Sequence, residues 1–276
     1  VKVSVGGTFA ETPASKDSYE TTDLGPTDIV MLHFIHTLFL EMYPKGRVPD
    51  VILNHERVAN YYLIPSVHLA HEVSDRIAAG EFDWEQFGGI HPAEPGHKIY
   101  AASLAHLLDK MWSRVSVSDA VEAHSVSEPP LDVNSYYNAS FADISQVKLS
   151  KGWEHIASWK PDNGAHTRKG FVNVPMLYSN TINSTFSFSF KGRAVGLFCV
   201  CGPFSGTLEY SVDNAPYKKL DTYTEWSKNL YIPWAYVLEA ELDPEREHKL
   251  TVRISKEKNK NSKGHECVIR NILINQ

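Results

Sequence analysis

Asp28-Ile29-Val30-Met31-Leu32-His33-Phe34-Ile35 is a near-continuous apolar run, and its neighbours decide the fold class. Such a run suits a strand buried on both faces. Downstream, Val51, Ile52, His55, Val58, Ala59 and Tyr62 recur at helical spacing, which predicts a helix over Val48 to Tyr62 with Pro49 at its start. Ile64 to Leu69 reads as a short strand, and Ala70 to Ala79 as a second helix stopped by Gly80. After a loop with Trp84 and Phe87, Pro95 to Trp112 predicts a long amphipathic helix. Its apolar face carries Tyr100, Leu104, Leu107, Leu108 and Met111. Strand, helix, strand, helix in this order implies parallel pairing and an α/β layered domain.

The second half has a different texture. Phe186-Ser187-Phe188-Ser189-Phe190 alternates strictly, Ala194 to Cys201 is continuously apolar, and Leu208 to Val212 alternates up to a turn signal at Asp213-Asn214. His248 to Ile254 and Cys267 to Ile274 complete the set. Strands at such spacing predict an all-β sandwich. Ser125-Val126-Ser127-Glu128-Pro129-Pro130 marks the join, because consecutive prolines interrupt a packed element. The expected organisation is an α/β domain over 1–115 with 1–27 unassigned, a linker over 116–130, and a β-sandwich over 131–276. Lys256 to Lys263 reads as a solvated hairpin tip.

Composition removes several function classes. The net charge of −6 argues against nucleic acid as a partner. No apolar run approaches the roughly 18 residues of a membrane span. Three cysteines make no disulfide framework, and Cys199 and Cys201 read as small core residues. There is no glycine-rich phosphate loop and no Gly-x-Ser-x-Gly elbow, since Gly202-Pro203-Phe204-Ser205-Gly206 reads as a turn. His71-Glu72-Val73-Ser74-Asp75 has aspartate where the zinc-protease helix needs its second histidine. His33 with His36, and His68 with His71, are spaced three apart, but no cysteine joins them, and neither a metal nor a cofactor is expected.

The segment richest in chemistry is Gly88-Gly89-Ile90-His91-Pro92-Ala93-Glu94-Pro95-Gly96-His97. It sets a histidine in a tight loop before a long helix, where an imidazole with a free ring edge suits general base work. The alternative is a loop histidine that merely packs.

His91-Pro92 followed by Gly96-His97 and an amphipathic helix resembles the last block of the SGNH (GDSL-type) esterases and acylhydrolases. The upstream strand, His55-Glu56-Arg57-Val58-Ala59-Asn60-Tyr61-Tyr62 and Ile64-Pro65-Ser66-Val67 are similar too, so the resemblance covers about residues 28–113. Gly170-Phe171-Val172-Asn173-Val174-Pro175-Met176-Leu177 and Ser262-Lys263-Gly264-His265 resemble the β-sandwich appended to some bacterial members. The resemblance implies a partial flavodoxin-like three-layer domain followed by a jelly-roll-like sandwich. It also implies a serine hydrolase in which His91 is the general base.

The departures shape what is expected. Gly88 stands three residues before His91, where the family has its orienting aspartate, and Asp83 is the substitute within the loop. The Gly-Asp-Ser block is missing, and the nearest string, Lys16-Asp17-Ser18-Tyr19, makes Ser18 the candidate nucleophile. Gly6-Gly7 lacks a following asparagine. The chain opens at Val1 without a basic, apolar leader, and the reading expects a truncated enzyme lacking its nucleophile block.

The expected substrate is a small-molecule or polysaccharide ester, best an acylated carbohydrate. Trp226 and Trp234 are candidates for sugar stacking, and His166 and Arg168 for an anionic or acylated ligand. The alternatives are a non-catalytic carbohydrate-binding module on an α/β scaffold, and a zinc hydrolase sensitive to chelators. The resemblance alone suggests a periplasmic or secreted protein, and the sequence gives no oligomeric state.

Overall fold

The computed structural model describes residues 2–5, 29–113 and 129–276. The chain divides into two compact units, Val1–Val133 and Asn134–Gln276. Most of the linker expected over 116–130 lies outside the described residues, as do Ser18 and Gly6-Gly7.

The first unit carries three parallel strands in the order β1 (Lys2–Val5), β2 (Ile29–Leu32), β3 (Ser66–Val67). Helices α1 (Thr37–Leu40) and α2 (Asp50–Tyr61) lie on the connection from β2 to β3, as a parallel crossover requires. Helices α3 (Leu69–Ala78), α4 (Trp84–Phe87) and α5 (Glu94–Trp112) follow.

The decisive apolar run is shorter and more one-sided than expected. In β2 only Val30 and Leu32 are buried, while Ile29 and Met31 are half-buried. Val30 and Leu32 pack with Leu69, Phe34 and Val67 and against Tyr100, Leu104 and Leu107 of α5. A second cluster joins Ile35, Tyr43, Ile52, Ala70, Val73 and Phe87. Pro49 caps α2 from one position further out than expected, its carbonyl accepting from Ile52 and Leu53. Gly80 follows α3 with φ +75°, the left-handed stop that glycine permits. The strand expected over Ile64–Leu69 contracts to Ser66–Val67, because Leu63 turns at φ 56° and Leu69 already opens α3.

The second unit contains twelve strands among the described residues: β4 (Ala139–Ala142), β5 (Lys148–Leu149), β6 (Glu154–Trp159), β7 (His166–Thr167), β8 (Val174–Ser179), β9 (Thr185–Lys191), β10 (Ala194–Cys201), β11 (Thr207–Val212), β12 (Lys218–Asp221), β13 (Leu230–Glu239), β14 (Glu247–Ile254) and β15 (Cys267–Asn275). One sheet runs β6-β8-β15-β10-β13-β7, with β4 also on β15, and the other runs β12-β11-β14-β9-β5.

Between the sheets lies a core of Phe186, Phe188, Phe190, Leu197, Cys199, Cys201, Leu208, Leu250, Val252 and their neighbours. β10 is buried throughout because it also has a core on its other face. There Phe198 and Val200 meet Trp159, Phe171, Met176 and Tyr231. Burial pushes the Cys201 thiol up to about 12, as fits an inert core residue. Asp213 and Asn214 both adopt positive φ, and Ala215 N–H bonds to the Val212 carbonyl, which closes the expected turn after β11.

Lys256–Lys263 is not a hairpin tip. It lies on the crossover from β14 in one sheet to β15 in the other, since those strands do not pair. Bonds from Ser262 Oγ to the Ser205 carbonyl and from Asn259 Nδ2 to Asp221 tie it down.

Candidate functional site

The carboxyl edge of the parallel sheet gathers the chemistry of the first unit. His33 follows the last residue of β2, and His68 follows the last residue of β3. Parallel neighbours put both at one edge, where open α/β sheets bind ligands. The His33 backbone is held on both sides, its N–H bonding to the Val67 carbonyl and its carbonyl accepting from Ala70.

Glu56 of α2 meets both imidazoles. His33 Nε2 lies 2.5 Å and His68 Nε2 3.3 Å from the same oxygen, Oε1. His33 is 3% exposed, Glu56 20% and His68 41%, so the cluster runs from the interior to the surface. The His55 ring stacks on that of His33 at 6.0 Å. Burial lowers the His33 pKa and outweighs the Glu56 bond, which raises it. Burial pushes Glu56 up, but bonds from Ser66 and His33 and the nearness of His68 outweigh it and leave the carboxyl below its ordinary value. A neutral imidazole therefore faces a carboxylate at neutral pH.

This cluster unites one member of each histidine pair noted in the sequence with a glutamate that no spacing singled out. The other two members stand apart. His36 Nδ1 accepts from Leu38 N–H at the start of α1, and His71 stacks on Tyr43 and lies 3.6 Å from Asp75.

His91 lies on the loop before α5. Tyr100 reaches the Ile35 N–H, whereas Leu104 and Leu107 pack with Val30 and Leu32. Going back along α5 therefore leads past the carboxyl ends of the strands, and His91 lies on that side. His91 is exposed, and it has no hydrogen bond or ion pair to another described residue.

The loop itself is rigidly built. Ala93 N–H bonds to the Phe87 carbonyl, and Phe87 is buried against Phe82, Trp84 and Tyr100. Gly88 has φ +104°, and a Cβ there would lie 2.0 Å from Ala93 N. That explains why no aspartate stands three residues before His91. Asp83 caps α4, its Oδ1 accepting from Gln86 N–H while Gln86 Oε1 accepts from Asp83 N–H.

On the sandwich, Trp153 and Trp159 are buried, while Trp226 is 65% and Trp234 38% exposed. An open cleft of about 500 Å³ is lined by Tyr223, Glu225, Lys228, Asn259 and Asn261. Trp226 belongs to the short 3₁₀ turn Glu225–Ser227, fixed by a reciprocal Thr224–Ser227 cap. A second cleft of about 350 Å³ shares Lys228 and is lined also by Asn163, Ala165, Phe204 and Lys263. His166 and Arg168 are exposed, and His166 stands beside Leu230 in the β7–β13 register. Trp234 lies four residues further along β13, roughly 13 Å away.

Comparison with known proteins bears on the fold. No protein-family model and no curated protein sequence matches the chain. Among solved structures, the chain is similar to a two-domain esterase active on acetylated mannans, with a TM-score of 0.65 and 16% identity. The same esterase co-crystallised with mannopentaose gives 0.64 and 17%. Each match covers 89% of this chain and 62% of the esterase, so the fold is shared and this chain spans under two thirds of its neighbour's length.

Proposed function

We propose that this chain belongs to an SGNH-type carboxylic ester hydrolase acting on an acylated polysaccharide. The observation that carries the reading is the exposed His91 on a braced loop at the carboxyl side of a parallel sheet. A fold shared with an esterase of acetylated mannans supports it. In the reaction, His91 takes the proton of a serine hydroxyl as that oxygen attacks the ester carbonyl. It then protonates the departing sugar oxygen. Water hydrolyses the acyl-enzyme with the same imidazole as base. Asp83 is the candidate orienting acid, although its carboxylate caps α4 and makes no hydrogen bond to His91 among the described residues. Ser18 remains the candidate nucleophile. If the nucleophile block is missing from this chain, the first unit is a scaffold.

Fluorophosphonate labelling of the purified chain, with mass spectrometry to locate the adduct, tests the proposal. An adduct on one serine that disappears in His91→Ala while the circular dichroism spectrum is unchanged shows catalysis by this chain and overturns the expected truncation. A folded sample without an adduct overturns catalysis by this chain.

A second reading then takes its place, favoured by Trp226, which is exposed and flanked in sequence by two residues of the 500 Å³ cleft. An exposed indole beside amide and charged groups suits a sugar ring. In that reading acetylated mannan binds the chain, and Trp226→Ala loses that binding in affinity electrophoresis.

A further inference from the structure

We infer that His33, Glu56 and His68 form a binding site for one divalent transition-metal ion of the zinc type. The inference is independent of the ester hydrolase reading and uses none of its residues.

The geometry carries it. Three donor atoms from three separate elements lie within 4.8 Å of one another, and this is the one such group of three among the described residues. Zinc bonds of 2.0–2.2 Å at tetrahedral angles set donor atoms about 3.4 Å apart. His68 Nε2 and Glu56 Oε1 are already 3.3 Å apart. His33 Nε2 and Glu56 Oε1, at 2.5 Å, need to open by roughly 1 Å, a change within side-chain reach. Two imidazole nitrogens with one carboxylate oxygen select zinc, cobalt or nickel over calcium or magnesium, which take oxygen ligands.

The surroundings fit as well. The His33 peptide is fixed from both sides, which holds one ligand in place. His55 stacks on His33 as a further imidazole beside the site. The half-exposed His68 opens the site to solvent and gives an ion its way in. On binding, His33 changes tautomer, its proton passing from Nε2 to Nδ1 by way of solvent, and Nε2 takes the ion.

The test uses the full chain, stripped with a chelator that is then removed. Cobalt(II) is titrated by its visible d–d absorption and zinc by calorimetry. One ion per chain is expected, with cobalt bands that zinc abolishes. Glu56→Gln and His68→Ala should each weaken binding at least about tenfold. His97→Ala, on the exposed side of α5, should bind as the parent does. Glu56→Gln keeps the side-chain shape, and the exposed His68 can be truncated without opening the core. The inference is overturned by the absence of saturable binding at one ion per chain. It is equally overturned by affinity that neither variant changes.

Discussion

Replacing Gly88 by alanine tests whether the His91 loop is closed as described, and Gly80→Ala is its control. Both glycines have positive φ, +104° and +75°. An L-residue in the left-handed region is destabilised by about 1–2 kcal/mol, and the lost freedom of the unfolded chain returns about 0.4–1 kcal/mol. At Gly80 nothing lies within 4 Å of the added Cβ, so the net loss should be about 1 kcal/mol. At Gly88 the Cβ would sit 2.0 Å from Ala93 N, 2.7 Å from Ala93 Cβ and 2.8 Å from Ala93 Cα. Those atoms must move, and the first is the donor of the 3.0 Å bond to the Phe87 carbonyl that closes the loop. Loss of that bond adds about 1 kcal/mol, and the backbone displacement adds about as much again. Gly88→Ala should therefore be about 2 kcal/mol worse than Gly80→Ala. Urea unfolding of the first unit measures the difference, and native-state hydrogen exchange at Ala93 locates it. Equal losses in the two variants, with Ala93 equally protected, would refute the closed loop. The same argument extends to Gly88→Asp. An aspartate at the position where the resembling family has one should destabilise this loop instead of orienting His91.

Two further predictions concern pH and the second unit. Burial raises the Glu266 carboxyl to about 7, against a Tyr231 hydroxyl bond at 2.7 Å that lowers it, and nearby Asp162 raises it further. The folded state therefore keeps a proton that the unfolded chain releases, and stability should fall as pH rises from 4.5 to about 7. The fall is at most about 3 kcal/mol and is reduced by solvent reaching a half-buried group. Glu266→Gln should flatten that slope in melts between pH 5 and 8, and a parallel slope in parent and variant would exclude the mechanism. His248 behaves differently. Burial lowers its pKa, but bonds to Asp213 at 2.7 Å and to the Asp243 carbonyl at 2.8 Å outweigh burial and raise it. Its contribution is complete below 6.5 and is lost as pH rises through the higher folded value. Asp213, lowered chiefly by its His248 bond, contributes above 3.8 and loses its contribution as pH falls. Asp213→Asn should remove both slopes, which melts in the Glu266→Gln background can read separately.

Five strands of the sandwich, β9, β10, β11, β14 and β15, were legible because alternation and continuous apolar runs report burial directly. Phe186, Phe188 and Phe190 all face the inter-sheet core. Seven of the twelve described strands, β4 to β8, β12 and β13, went unread, and in β13 Pro233 argues against a strand interior. The structure removes the objection. β7 pairs only with Leu230 and Tyr231, so beyond them β13 has no described neighbour on that side, and proline there interrupts no ladder. The first unit was legible in element order and less so in length. Its strands are only two to four residues long, too few for periodicity to fix their ends.

The His33–Glu56–His68 cluster escaped for a topological reason. Its members are separated by 23 and 12 residues, and no spacing rule for a single helix or loop joins them. A signal was nevertheless present. Each histidine directly follows the apolar end of a segment expected to be a parallel strand. Adjacent parallel strands deliver the residues after their carboxyl ends to one edge. The helix between them then returns past that edge, so a polar residue part-way along it, here Glu56, is the natural third member. The same rule places the His91 loop on that side, because α5 runs back along the strands. Two chemically different groups, an exposed imidazole and a half-buried imidazole–carboxylate cluster, therefore share one side of one small sheet. Parallel β-structure alone explains why they do, before any function is assigned to either.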